Sequence, residues 1–193
     1  MAYDELLANQ LALALVRDQL RGQLGRSLKG DGGLRRDVLA MSDCGASPSM
    51  IFTDFGVVTT EEENVVGAAH SLLATLVESE PDVIFLEMGD GLLGTYGVHT
   101  LLADQGLSAS LSAIVLCASD PVGAWGATKI LDERFNLSPA VISGPVTDTP
   151  VGRRYCTETL GVPAHNALLD AESLAAAVAP RLSPITQVEG VFA

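Results

Sequence analysis

The chain has 193 residues, 48% of them hydrophobic and 18% charged, which is the length of one ordinary domain with enough apolar material for a sizeable core. Its formal net charge of −13 speaks against nucleic acid and against an anionic membrane surface, because both need clustered Lys and Arg. The three cysteines, Cys44, Cys117 and Cys156, form no Cys-x-x-Cys pair, so neither a disulfide framework nor a zinc knuckle is indicated, and reduced thiols in the cytoplasm are the expectation.

Tyr3 to about Leu24 reads as an amphipathic helix, with Leu6, Leu7, Leu11, Leu13, Leu15 and Leu20 on a broad stripe and Gln10, Arg17, Asp18 and Arg21 opposite. Asp4 and Glu5 stand where a secretory leader carries cations, and "LLANQLALALV" is too short and too polar to span a bilayer. Gly22 and Gly25 end this helix. Arg26 to Lys29 is a short strand candidate, "RRDVLAMSDCGAS" gives a helical turn or two, and Ser49 to Phe55 is a strand candidate ending near Asp54. Thr59 or Thr60 then caps a helix with Glu61, Glu62 and Glu63 in its first turn and Val65, Val66, Ala69, Leu72, Leu73 and Leu76 on its buried face, stopped by Pro81.

Val83 to Leu86 is a continuous apolar run, as expected of a central parallel strand. Further helices are read at Val98 to Asp104, from Pro121 near N1 of "PVGAWGATKILDERF", at "PVGRRYCTETLG" closed by Gly161, and at "AESLAAAVAPRL". Further strands are read within Leu111 to Ser119, in "PAVISGPVT" and in "VPAHNAL". Strands alternating with helices about five times predict an α/β fold, a doubly wound, mostly parallel sheet of about five strands with helices on both faces. It forms a single domain over residues 1–182, with 183–193 as a C-terminal tail.

Ligands of such sheets bind at the carboxyl ends of the strands, and several polar residues follow the predicted strands. In "LEMGDGLLG", Glu87 and Asp90 can hold Mg²⁺ or orient a water while Gly89 and Gly91 let the backbone approach a ligand; the plain alternative is a polar strand end with an Asp-Gly turn. Asp54 is a second candidate Mg²⁺ ligand, whereas Thr59 and Thr60 read better as caps than as an anion site. Lys29, Gly30 and Arg35 in "SLKGDGGLRRD" suit a phosphate or carboxylate, or a surface loop, without matching a Walker A loop or a G-x-G-x-x-G fingerprint. Asp120 follows a strand, and Trp125 is a packing anchor, an oligomer contact or a pocket wall. Thr147 and Asp148 read as an N-cap region, with Arg153 and Arg154 facing ligand or solvent. His70, His99 and His165 lack metal-ligand spacing, Cys117 reads as core rather than nucleophile, and no G-x-S-x-G elbow is present.

The order "LKGDGGLRRDVLAMSDCGA", "FTDFGVVTT", "PDVIFLEMGDGLLG", "ISGPVTDTP" resembles the P-loop NTPases of the dethiobiotin synthetase and MobB type, in the SIMIBI class, over about Leu20 to Gly161. The resemblance implies that Lys29 contacts substrate or phosphate, that Asp54 assists Mg²⁺, and that Glu87 to Gly91 form a Walker-B-like turn. The first strand and Walker A loop of that family are missing, so the phosphate loop is expected from elsewhere. What it implies is a Mg²⁺- and ATP-dependent ligase or kinase acting on a small acid, in a homo- or hetero-oligomer. Catalytic roles fall to Lys29, Glu87 and Asp90, nucleotide contacts to Gly30, Gly89, Gly91 and Asp120, and the metal to Asp54 and Glu87. The contrasting expectation is a non-catalytic scaffold or substrate-binding subunit that has lost nucleotide binding. A dinucleotide-binding module is disfavoured by the missing fingerprint.

Overall fold

The computed structural model describes residues 40–89 and 91–182, and these divide between two compact units, residues 40–111 in one and Ser112–Leu182 in the other. The helix read at Tyr3 to Leu24, the strand read at Arg26 to Lys29, and the tail 183–193 lie outside the described residues.

In the N-terminal unit, a 3-10 turn spans Phe52–Phe55, followed by helix α1 (Val65–Val77), α2 (Val98–Ala103) and α3 (Gln105–Ser110). The glutamate run does not enter α1. Asn64 stands at the N-cap, its Oδ1 accepting from Glu61 N–H at 2.9 Å and its Nδ2 donating to Thr59 O at 3.1 Å, so Glu61 to Glu63 form the turn before the helix. Val65, Ala69 and Leu73 of α1 meet Leu101 and Leu107 in one apolar cluster, against which Val66, Ile84, Leu86 and Met88 pack.

In the C-terminal unit, β1 (Val115–Cys117) is followed by α4 (Pro121–Phe135), β2 (Val141–Ser143), a 3-10 turn (Pro145–Thr147) and α5 (Pro150–Arg154), which runs into a π-helical turn, Tyr155–Thr159. Helix α6 (Ala171–Val178) closes the unit with a last 3-10 turn, Ala179–Arg181. The two strands pair in parallel, Val115 with Val141 and Cys117 with Ser143, and Ile142 makes one further parallel bridge to Ala164. Val141, Ala167, Leu174 and Val178 form the core here, covered by Ala113, Val115 and Cys117. Cys117 is therefore a packing residue, as its apolar run predicts.

The doubly wound sheet of about five strands is not what the chain builds. The described residues are 51% helical, with two short parallel strands in one sheet. The predicted strand Ser49–Phe55 gives the 3-10 turn instead, because the Asp54 carboxylate accepts the Ile51 N–H at 3.0 Å and closes the backbone on itself. Val83–Leu86 takes no regular secondary structure; the alternate residues Ile84, Leu86 and Met88 lean on the α1 cluster, yet the run has no ladder among the described residues. An apolar run records burial; a strand also needs a neighbour for its N–H and C=O groups.

Candidate functional site

Parallel strands followed by helices bring three loops to one edge of the C-terminal unit, the carboxyl edge of β1, β2 and Ala164. Each of the three following helices starts with a side-chain cap: Asp120 Oδ1 accepts Gly123 N–H at 2.9 Å, Thr149 Oγ1 accepts Gly152 N–H at 3.1 Å, and Asp170 Oδ1 accepts Ser173 N–H at 3.4 Å.

The loops after β1 and β2 are pressed together. Gly144 has φ +87°, and a Cβ added there would stand 2.8 Å from both the N and the O of Ala118. Ala118 N–H donates to Ser143 O, and Val146 N–H donates to Ala118 O, each at 3.0 Å. Thr147 is fully buried and its hydroxyl donates to Gly144 O at 2.7 Å. The Ser143 hydroxyl, at the end of β2, is buried without a hydrogen-bond partner.

Asn166 ties the third loop to the second. Its Nδ2 donates to Thr147 Oγ1 at 3.2 Å and to Asp148 Oδ1 at 2.8 Å, and its Oδ1 accepts Leu168 N–H and Leu169 N–H, each at 3.0 Å. All four hydrogen-bonding positions of the amide are used. Arg153, on α5, donates through Nη1 to Thr147 O. His165 Nδ1 lies 3.3 Å from Asp170 Oδ2. The Ser173 side chain, and beside it His165, hold the Asp170 carboxyl below its ordinary value. Arg153, Asn166, Leu169 and Asp170 line a cleft of about 140 Å³. Nearby Cys156 is fully buried, and that burial pushes its thiol up, away from nucleophilic use.

Of the residues singled out in the sequence, Asp120, Thr147, Asp148 and Arg153 lie along this edge. Lys29, Gly30 and Asp90 lie outside the described residues. Asp54 is exposed and its carboxylate closes its own 3-10 turn. Glu87 is half-buried at the end of the apolar run, with Gly89 after it and Gly91 at φ +72°. These belong to the N-terminal unit, whereas Asp120 is an exposed cap in the C-terminal unit. Among the described residues no three His, Cys, Asp or Glu side chains gather to hold a metal ion. The N-terminal unit has a wider recess, about 410 Å³, lined by Thr59 to Glu63 with Thr95 and Tyr96. Its three glutamates oppose an anion at the start of α1.

Asn166 and Asp170 are the site residues that the sequence alone did not single out, whereas Thr147, read with Asp148 as an N-cap region, is a buried loop residue and the cap of α5 falls to Thr149. The signal present was weak: Asn166 and Asp170 bracket "NALLD", a pattern that fits an Asx-type turn before a helix. Compared with protein-family models, curated proteins and solved structures, the chain matches none of them. No helix among the described residues is long and apolar enough to cross a membrane.

Proposed function

We propose that the chain is the acid-binding component of an ATP-dependent ligase or kinase, and that it receives a small carboxylic acid in the cleft at the carboxyl edge of β1, β2 and Ala164. The observation that carries this reading is the cleft of about 140 Å³ with the Arg153 guanidinium in its wall. A guanidinium has five N–H donors in a fork that matches a carboxylate, and Arg153 commits one nitrogen to Thr147 O. The cleft is smaller than the roughly 300–1,000 Å³ of sites for drug-sized molecules, which favours a small acid. The ATP-dependent part rests on the resemblance, with Lys29 and the Glu87 to Gly91 turn as its carriers.

Calorimetry on the full chain tests the two parts separately. Propionate and lactate are expected to bind, and Arg153→Ala to abolish that heat while leaving a cooperative unfolding transition. Mg·ATP is expected to bind only when the missing phosphate loop is supplied by a partner. Acids that bind Arg153→Ala as well as the parent would overturn the acid site.

The alternative, a non-catalytic assembly subunit, is favoured by one observation. Val122 and Trp125 stand 75% and 50% exposed, three residues apart on one face of α4. Light scattering decides it: a monomer unaffected by Trp125→Glu excludes assembly through that face.

A further inference from the structure

The cleft has two charged walls of opposite sign. Arg153 and Asp170 both line it, yet they make no ion pair with each other: Asp170 pairs with His165, and Arg153 donates to the backbone of Thr147. Each keeps unused capacity. The guanidinium retains donors beyond Nη1, and the Asp170 carboxylate, with about four lone-pair sites, retains acceptor capacity beyond that taken by the Ser173 N–H, the Ser173 side chain and His165. Asn166, with all its positions occupied, shapes the cleft and offers nothing to a ligand. Leu169, 76% exposed, gives an apolar wall beside the charges.

We propose that the acid held between Arg153 and Asp170 is an α-amino acid, its carboxylate on the guanidinium, its ammonium on the Asp170 carboxylate and its side chain along Leu169. This rests on the small-acid reading of the same cleft and adds the second charge. A simple acid leaves the Asp170 anion facing a second anion across a small cleft, whereas a zwitterion satisfies both walls. Size agrees: a cavity of about 150 Å³ holds one benzene, about six non-hydrogen atoms, which is the size of alanine. A longer side chain would extend past Leu169 into solvent. The low pKa of Asp170 keeps that wall charged at neutral pH.

The test uses the full chain and three matched probes, L-alanine, L-lactate and propionate, which differ only in carrying an ammonium, a hydroxyl or a hydrogen. Calorimetry is expected to give L-alanine an affinity at least about tenfold above the other two, the worth of one charge-assisted hydrogen bond. Asp170→Asn is expected to erase that advantage while leaving lactate and propionate bound. Asn caps a helix as well as Asp, so this variant keeps α6 and its unfolding transition. Equal affinity for all three probes overturns the amino-acid assignment and leaves the small-acid site standing. An alanine preference that survives Asp170→Asn removes Asp170 from the recognition and overturns the proposal. No heat from any probe overturns both readings.

Discussion

Two glycines and one asparagine hold the carboxyl edge of the C-terminal unit together, each for a different physical reason. At Gly152 an added Cβ would stand 1.8 Å from Val146 O, a backbone atom that cannot move aside without opening the turn. Gly144 combines a clash with Ala118 and a φ of +87°, which side chains rarely adopt. Gly152→Ala is therefore expected to cost about 3 kcal/mol in urea unfolding, with Gly144→Ala similar. Asn166 matters through polarity rather than space. Asn166→Ala strips Leu168 N–H and Leu169 N–H of their acceptor inside a half-buried loop and is expected to cost about 2–3 kcal/mol. Asn166→Asp keeps that acceptor and volume but loses the two donors and sets a carboxylate against Asp148, whose Oδ1 now accepts at 2.8 Å. It should destabilise at pH 7 and recover as the pH falls toward 4. A variant as stable as the parent at pH 7 would mean that the Asn166 amide does not organise the loop.

Element by element, α1, α2, α4, α5 and α6 were legible, while α3 and the extent of the sheet were not. Pro121 and its preceding Asp120 mark the first residue and cap of α4, because helix starts are written locally in caps and in proline, while Val98 begins α2 after Gly97 without a side-chain cap. The strands β1 and β2 fall within Leu111–Ser119 and "PAVISGPVT", since buried parallel strands are short apolar runs. Val83–Leu86 carries the same signature without a ladder among the described residues, so pairing is the link that the pattern lacks. The cleft was hidden for a related reason. Asn166 reaches Asp148 and Thr147 across 18 and 19 residues, a proximity made by the parallel order of the strands and by no local spacing. A cap the sequence did not reveal joins α2 to α3. Asp104 Oδ1 accepts Leu107 N–H at 2.8 Å, and His70 Nε2 of α1 lies 3.0 Å from the same oxygen. The Leu107 N–H foremost, then His70, hold the Asp104 carboxyl below its ordinary value of 3.8. Asp104→Ala is expected to cost about 1 kcal/mol at pH 7, the usual worth of a lost N-cap. Thermal unfolding of the parent and this variant should converge as the pH falls below 4, because protonation removes the same interaction. A gap that persists at low pH would show that packing, not the ionised cap, accounts for the loss.

Over the whole molecule the dominant electrostatic fact is surplus anion: 24 acidic residues against 11 basic ones. Of the five ion pairs among the described residues, three use a histidine, which is cationic only when protonated, and the Lys129–Glu133 and Arg154–Glu158 pairs are exposed. Among the described residues these pairs offset little of the mutual repulsion of the carboxylates at pH 7, since exposed pairs contribute about 0–1 kcal/mol each. Salt and acid should then act in opposite ways. Raising ionic strength shortens the Debye length to about 8 Å at 0.15 M and screens the repulsion without disturbing the caps. A gain of about 1 kcal/mol is expected between low salt and that point, read as a rise in Tm of about 2–4 °C. Acid also lowers the net charge as the pH approaches the isoelectric point of about 4.4. Below that it protonates Asp104 and Asp170, whose folded pKa values are both depressed. A depressed carboxyl stabilises the fold above its unfolded pKa and loses that contribution as the pH falls through the folded value. Stability at low salt should therefore rise from pH 7 toward pH 5 as repulsion relaxes, and collapse below about pH 4 as the capping carboxylates go neutral. At high salt the rise should flatten and the collapse remain, because screening replaces the first effect and leaves the second. A Tm that falls steadily from pH 7 to pH 5 at low salt would mean that the carboxylates are engaged in native contacts rather than repelling one another across the surface.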